Sequence, residues 1–153
     1  MSNLPHVPEG YHTVTPSLTS KDADAAIKFY EAAFDAVEHF RLTDELTGGI
    51  AHAEFRIGDS PLMISDEYPE LGSFAPEEGK GGLFMVYVPD CDTVFGQAIA
   101  AGATVVTEPT NQFWGDRTAM VTDPFGYRWT IAEKIASLTP EEIQAGMKNY
   151  AEA

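Results

Sequence analysis

Apolar residues recur along this chain at two periods, and the alternation between the periods is itself repeated. From Thr13 to Leu18 the period is two, with Val14, Pro16 and Leu18 on one face and Thr13, Thr15 and Ser17 on the other; this predicts a strand. Pro16 marks it as an edge or bulged strand. From about Asp22 to Ala33 the period lengthens, with Ala23, Ile27, Tyr30 and Phe34 at helical spacing. Asp22 and Asp24 sit where the helix dipole is positive. Val37 to Leu42 predicts a second strand, 43–49 a polar turn, and a hairpin follows. The sequence then repeats itself: a strand over Leu83 to Val88, a helix over Asp92 to Ala101 closed by Gly102 as a left-handed cap, a strand over Thr104 to Thr107, and a second hairpin.

The two runs are one pattern displaced by 68 positions, carrying Asp22 onto Asp90 (90 − 22 = 68), Phe34 onto Gly102, Val37 onto Val105, Ala51 onto Ala119, Gly58 onto Gly126 and Met63 onto Ile131. One offset carrying helix, strand and turn signals predicts a duplicated βαβββ unit. The expected fold class is α+β: tandem βαβββ modules forming a curved mixed sheet that encloses a cleft, plus a C-terminal helix. Residues 1–11, with Pro5, Pro8 and Gly10, read as an irregular lead-in. The modules fall at 12–66 and 83–134, joined by a connector over 67–82, all within one structural domain. Thr139-Pro140-Glu141-Glu142 is a strong helix start, and Ile143, Met147 and Tyr150 give the helix over 139–152 its apolar stripe.

Hairpin register decides which side chains share a face. In the second copy, Asp123-Pro124-Phe125-Gly126-Tyr127 suits a three-residue loop, which opposes Thr122 to Arg128 and Met120 to Thr130. Carried across the repeat, it opposes Glu54 to Ser60 and His52 to Leu62. Ala53, Phe55, Pro61 and Met63 then lie under the helix, while His52, Glu54, Ser60, Leu62 and Ile64 face the concavity.

The chain has 153 residues, of which 44% are apolar and 22% charged, as expected of an ordinary globular protein. A single cysteine, Cys91, excludes an internal disulfide framework and suits a reducing cytoplasm. No run is long enough to span a bilayer, and the first residues lack a secretory pattern. The 24 acidic and 9 basic residues give a net charge of −15, which argues against nucleic acid and favours cationic small molecules. His6, His12 and His39 show no ligand spacing.

A tandem βαβββ pattern with Phe29-Tyr30 in the first helix, the stretches Ala51 to Asp59, Ala101 to Val106 and Phe113 to Arg117, and Asp123-Pro124-Phe125-Gly126-Tyr127-Arg128-Trp129 in the last hairpin resembles the vicinal oxygen chelate superfamily. Its members include glyoxalase I, extradiol dioxygenases and bleomycin-resistance proteins, and the glyoxalase/bleomycin-resistance-like branch is the most similar. The fold hosts several chemistries. Enzymes of the superfamily hold a divalent metal through residues that correspond here to Thr15, Leu62, Leu83 and Thr130. Leucine offers no lone pair and a threonine hydroxyl is a poor ligand, so neither a metal nor a cofactor is expected.

The function implied by that resemblance is a metal-free small-molecule binder that sequesters an antibiotic or another cationic or aromatic ligand, acting as a homodimer. The ligand-binding candidates are Thr15, Ser17, Leu62, Leu83, Met85, Tyr87, Phe113, Trp114, Met120, Thr122, Arg128 and Thr130. The alternative is an enzyme of the same fold (lyase, isomerase or dioxygenase-like). Its catalytic candidates are His52 and Glu54, whose i, i+2 spacing puts both on one strand face for acid–base work or a nonstandard metal.

Overall fold

The structure is a computed structural model, described for residues 3–153. It divides into two compact units, Met1–Pro76 and Glu77–Ala153. In the first unit the order is β1 (Ser17–Ser20), α1 (Ala23–Phe34), β2 (Val37–Thr43), β3 (Ile50–Ile57) and β4 (Ser60–Asp66). A 3-10 turn follows at Pro69–Leu71. In the second unit the order is β5 (Leu83–Tyr87), α2 (Cys91–Ala101), β6 (Thr104–Asn111), β7 (Asp116–Thr122), β8 (Arg128–Lys134) and α3 (Pro140–Glu152). Each unit holds a four-stranded mixed sheet, ordered β1-β4-β3-β2 and β5-β8-β7-β6. The first strand runs parallel to the last, and the remaining pairs are antiparallel. The α+β class and the duplicated unit stand as the sequence predicts.

One face of each sheet is closed by its helix. In the first unit Ile27, Tyr30 and Phe34 of α1 are buried, together with Leu18, Ala53, Phe55, Leu62 and Ile64 of the strands. The Tyr30 and Phe55 rings stack at 5.6 Å. Burying an aromatic or aliphatic side chain of this size contributes about 1.5–3 kcal/mol, so this layer is a large stabilising contribution to the unit. In the second unit Cys91 and Ala98 of α2 are buried, as are Ala119, Val121, Trp129 and Ile131. Smaller residues on α2 meet larger ones on the sheet there, and Phe84 packs 5.0 Å from the Trp129 ring.

The helix starts are built the same way twice. The side chains of Asp22 and Asp90 cap their helices by accepting from Ala25 N and Thr93 N, both at 3.0 Å. The first helical amides are then taken up by the end of the last strand: Ala23 N donates to Asp66 Oδ1 at 2.8 Å and Cys91 N to Glu133 Oε2 at 2.9 Å. A carboxylate at a helix N-terminus satisfies an orphan donor and complements the dipole. It also ties helix to sheet at the same point in each unit.

The repeat is not held at one offset. Ser17 and Met85 hold matching places in equivalent strands 68 apart (85 − 17), as do the caps Asp22 and Asp90. Helix α1 is one residue longer than α2 (12 against 11) and ends in a left-handed residue at Asp35 rather than at Phe34, so its counterpart Gly102 lies 67 away (102 − 35). Aspartate tolerates that conformation better than most residues.

The first hairpin departs further from expectation. Ile57 pairs with Ser60, Phe55 with Leu62 and Glu54 with Met63, across a two-residue turn that opens on Gly58 with φ of 58°. The expected pairings of Glu54 with Ser60 and His52 with Leu62 are therefore wrong. The odd shift exchanges the faces of β4, as the twofold period of a strand requires. Leu62 and Ile64 are buried under α1, at 4% and 1% exposure, and Met63 goes to the other face.

The second hairpin keeps its expected register, with Met120 opposite Thr130 and Thr122 opposite Arg128. Asp123 explains why. Its carboxylate, 2% exposed, accepts from Phe125 N at 2.8 Å, Tyr127 N at 3.0 Å and Trp129 Nε1 at 2.9 Å. Removing it strands two buried donors and a part-buried one. Asp123→Ala is expected to lose about 2–5 kcal/mol of stability. Urea denaturation checks this: the midpoint falls at unchanged slope, and a loss below about 0.5 kcal/mol would show the carboxylate to be incidental.

Candidate functional site

The strand registers lay out the far face of each sheet, the one turned away from its helix. In the first unit one row across the sheet is Ser17, Met63, Glu54 and Phe40. Flanking it lie the pair His52 and Leu42 and the row Pro61, Arg56 and Val37. Residue His39 is skipped between Glu38 and Phe40, a bulge that brings Phe40 level with Glu54.

Glu54 is the centre of this face. Its Oε2 lies 3.6 Å from His52 Nε2, and its Oε1 accepts a hydrogen bond from the Tyr11 hydroxyl. Phe40 lies 6.2 Å from the His52 ring, at a tilt. Tyr11 comes from the lead-in, turned by a bond from its own amide to Pro8 O at 3.1 Å, and its hydroxyl oxygen is 3.4 Å from His39 Nε2. Arg56 donates from Nη2 to Gly10 O at 3.1 Å and lies 5.8 Å from the Tyr11 ring centre. Burial, followed by the bond to the Glu54 carboxylate, pushes the Tyr11 phenol up to about 12. Tyr11 therefore stays a hydrogen-bond donor at neutral pH and holds Glu54 as an acceptor. The side chains of His52 and Glu54 are 37% and 21% exposed, so the group remains reachable from solvent.

In the second unit the corresponding rows are Leu83, Arg128, Thr122 and Thr104; Met85, Thr130, Met120 and Thr107; and Tyr87, Ala132, Thr118 and Thr110. Leu83, Met85 and Tyr87 are exposed, whereas Thr122 and Thr130 are buried. Glu54 corresponds here to Met120 (120 − 54 = 66), and Met63 to Thr130 (130 − 63 = 67). The acid of the first face is thus replaced by a thioether.

Of the residues picked out in the sequence, His52, Glu54 and Ser17 share the first far face; Leu83, Met85, Tyr87, Met120, Thr122, Arg128 and Thr130 share the second. Thr15 lies just before β1. Leu62 is a correction: it belongs to the core under α1, because the shorter turn shifts β4. Phe113 and Trp114 occupy the turn between β6 and β7. There Phe113 packs 5.7 Å from Tyr150 of α3, and Trp114 donates from Nε1 to Asp116 Oδ2 at 3.1 Å. Sequence reasoning missed Tyr11, Phe40 and Met63. The only signal for Tyr11 was an aromatic next to Gly10; Phe40 and Met63 were hidden by a bulge and a register error.

The positions where the fold family places metal ligands become Thr15 and Met63 in the first unit and Leu83 and Thr130 in the second, after the register correction. None is a histidine or carboxylate, and the residues do not fit a divalent ion. His52 and Glu54 alone would leave an ion underligated, since the row otherwise offers Ser17, Met63 and Phe40. Among the described residues, Asp90, Asp92 and Glu133 also come together. All three are engaged locally, for Asp90 caps α2, Glu133 takes Cys91 N, and Asp92 pairs with Arg117 at 2.7 Å.

Ultraviolet titration of the tyrosines tests the Tyr11–Glu54 contact. Comparison with Tyr11→Phe isolates the Tyr11 step near pH 12, and in Glu54→Gln that step falls but stays above the ordinary value of 10.0, because burial is the larger cause. Folding raises this pKa. The stability it contributes is therefore whole below pH 10 and lost as pH climbs toward 12. A high-pH step that Tyr11→Phe leaves in place, or a Tyr11 step that Glu54→Gln leaves unmoved, would contradict the contact.

The chain is similar to known proteins in sequence and in fold. A curated protein of Mycobacterium bovis, described as uncharacterized, is 38% identical over 141 residues, covering 89% of this chain and 92% of the relative. An Arabidopsis thaliana protein, also described as uncharacterized, is 30% identical over 123 residues, covering 76% of this chain and 74% of its own. Among solved structures, an Arabidopsis thaliana gene product superposes with a TM-score of 0.64 at 28% identity, covering 80% of this chain and 99% of that one. TioX from Micromonospora (TM-score 0.61, 24% identity, 84% and 100% covered) and the fosfomycin resistance protein FosX from Listeria monocytogenes (0.63, 16%, 86% and 97%) share the fold. Among the described residues no helix is long and apolar enough to cross a membrane. The model of the glyoxalase/bleomycin resistance protein/dioxygenase superfamily matches residues 10–131, and the chain belongs to that superfamily.

Proposed function

We propose that this protein is a metal-free small-molecule binder, and that the far face of its first unit takes a cationic group attached to an aromatic or apolar body. The observation that carries the reading is Glu54, a carboxylate held ready by the Tyr11 hydroxyl and flanked by Phe40 and Met63. A charge-assisted hydrogen bond to such a carboxylate is about twice as strong as a neutral one. The aromatic and thioether neighbours supply adaptable apolar contact. The net charge of −15 raises the local concentration of cations. One of the names of the superfamily is that of a resistance protein, and sequestration of an antibiotic is the biological form this binding would take.

A second reading rests on the 3.6 Å approach of His52 to Glu54. Oriented by the carboxylate, the imidazole would act as general base on a bound substrate. The two readings part on His52→Ala, which leaves binding intact under the first and abolishes turnover without abolishing binding under the second.

Thermal-shift and calorimetric titration with phenethylamine and metal-free bleomycin, against neutral phenethyl alcohol, tests the first. The expected result is a saturable rise in Tm for the amines only. It should be unchanged after dialysis against a chelator and weakened about tenfold or more in Glu54→Gln. Equal response to the alcohol, full binding by Glu54→Gln, or binding that vanishes with chelation would contradict the proposal.

A further inference from the structure

The two far faces each carry one arginine in the same row, and the internal repeat makes one a control for the other. In the first unit the row holds Arg56, which is satisfied by Gly10 O and the Tyr11 ring. In the second it holds Arg128, one strand over, between Leu83 and Thr122. Arg128 Nε is buried and has no hydrogen-bond partner among the described residues. The chain's other arginines have acceptors: Arg41 pairs with Glu38 and Asp24, Arg117 with Asp92. In a chain with 24 acidic residues, a guanidinium donor left out of water and out of every ion pair is unexpected. A desolvated charged donor without an acceptor is costly, and such a group marks where an acceptor belongs.

We infer that Arg128 anchors a small organic oxyanion on the far face of the second unit. The guanidinium fork matches a carboxylate or phosphonate with two parallel donors. Arg128 retains part of its surface, which gives the acceptor its approach. On the same face Leu83 and Met85 are about half exposed, at 48% and 49%, and offer apolar contact. Thr122, directly opposite Arg128, adds a hydroxyl. The ligand class is therefore an oxyanion with an apolar tail. This site is built from the second unit alone and is independent of the amine-binding reading. The net charge of −15 repels anions at long range, so a saturable anion response cannot come from the general field.

The test uses the full chain with hexanoate and hexylphosphonate as probes and hexanamide as the neutral control, read by calorimetry and by Tm. One or both of the anions bind saturably, which also names the oxyanion, and hexanamide does not. Arg128→Gln weakens binding about 10- to 100-fold, Arg128→Lys less, and the exposed Lys134→Gln not at all. Without ligand, Arg128→Gln keeps or raises the Tm, because an unsatisfied donor is gone. A lowered Tm would make Arg128 structural and overturn the inference. So would undiminished anion binding by Arg128→Gln, equal response to hexanamide, or no response to either anion.

Discussion

A two-residue turn, Gly58-Asp59, fixes which side chains of the first unit meet each other. It sets Ile57 opposite Ser60, and every pairing back along β3 and β4 follows. The register sends Leu62 and Ile64 to the layer under α1, where Tyr30 stacks on Phe55, and leaves Met63 beside Glu54. A one-residue slip would bury the thioether and expose the leucine. It would also move the Glu54 row away from Ser17, because β4 is the strand that joins β1 to β3. The geometry of the candidate site is thus a consequence of core packing, enforced by the large apolar residues on the opposite side of the same sheet.

The duplicated architecture was legible in the chain because helix starts, caps and turns have local chemistry. Asp22 announces its helix and Asp123-Pro124-Phe125-Gly126 its loop, as read, while Asp90, legible only as the repeat image of Asp22, caps a helix that begins one residue before the expected Asp92. Other features depended on contacts distant in sequence. Asp66 and Glu133 hold the helix starts from 43 and 42 residues away, and no local pattern points to them. The constant offset of 68 failed where the copies diverged in length: α1 runs one residue longer, and the first hairpin closes in two residues where the second takes a longer loop. His52 and Glu54 were legible as a pair because strand alternation alone puts them together. Tyr11 was not, since a lead-in without periodicity gives no hint of which face it crosses.

Duplication has also freed the two faces to differ. The first carries an acid with aromatic company and an arginine bound to Gly10 O; the second carries threonines, thioethers and an arginine whose Nε lacks an acceptor among the described residues. Equivalent positions such as Glu54 and Met120 cannot serve the same ligand chemistry. The positions where metal-dependent members of this superfamily would need histidine or glutamate hold threonine, methionine and leucine. A divalent cation finds no adequate donor set there. What the first unit presents is a hydrogen-bonding carboxylate on a partly apolar sheet face, which suits recognition.

The most direct check of that claim is residue-resolved: an amide and side-chain NMR titration of the full chain with phenethylamine. Saturable shifts should centre on Tyr11, Phe40, His52 and Glu54, with the α1 layer around Tyr30 and Phe55 unmoved. Shifts confined to other surfaces, or no saturable shift at Glu54, would contradict the account.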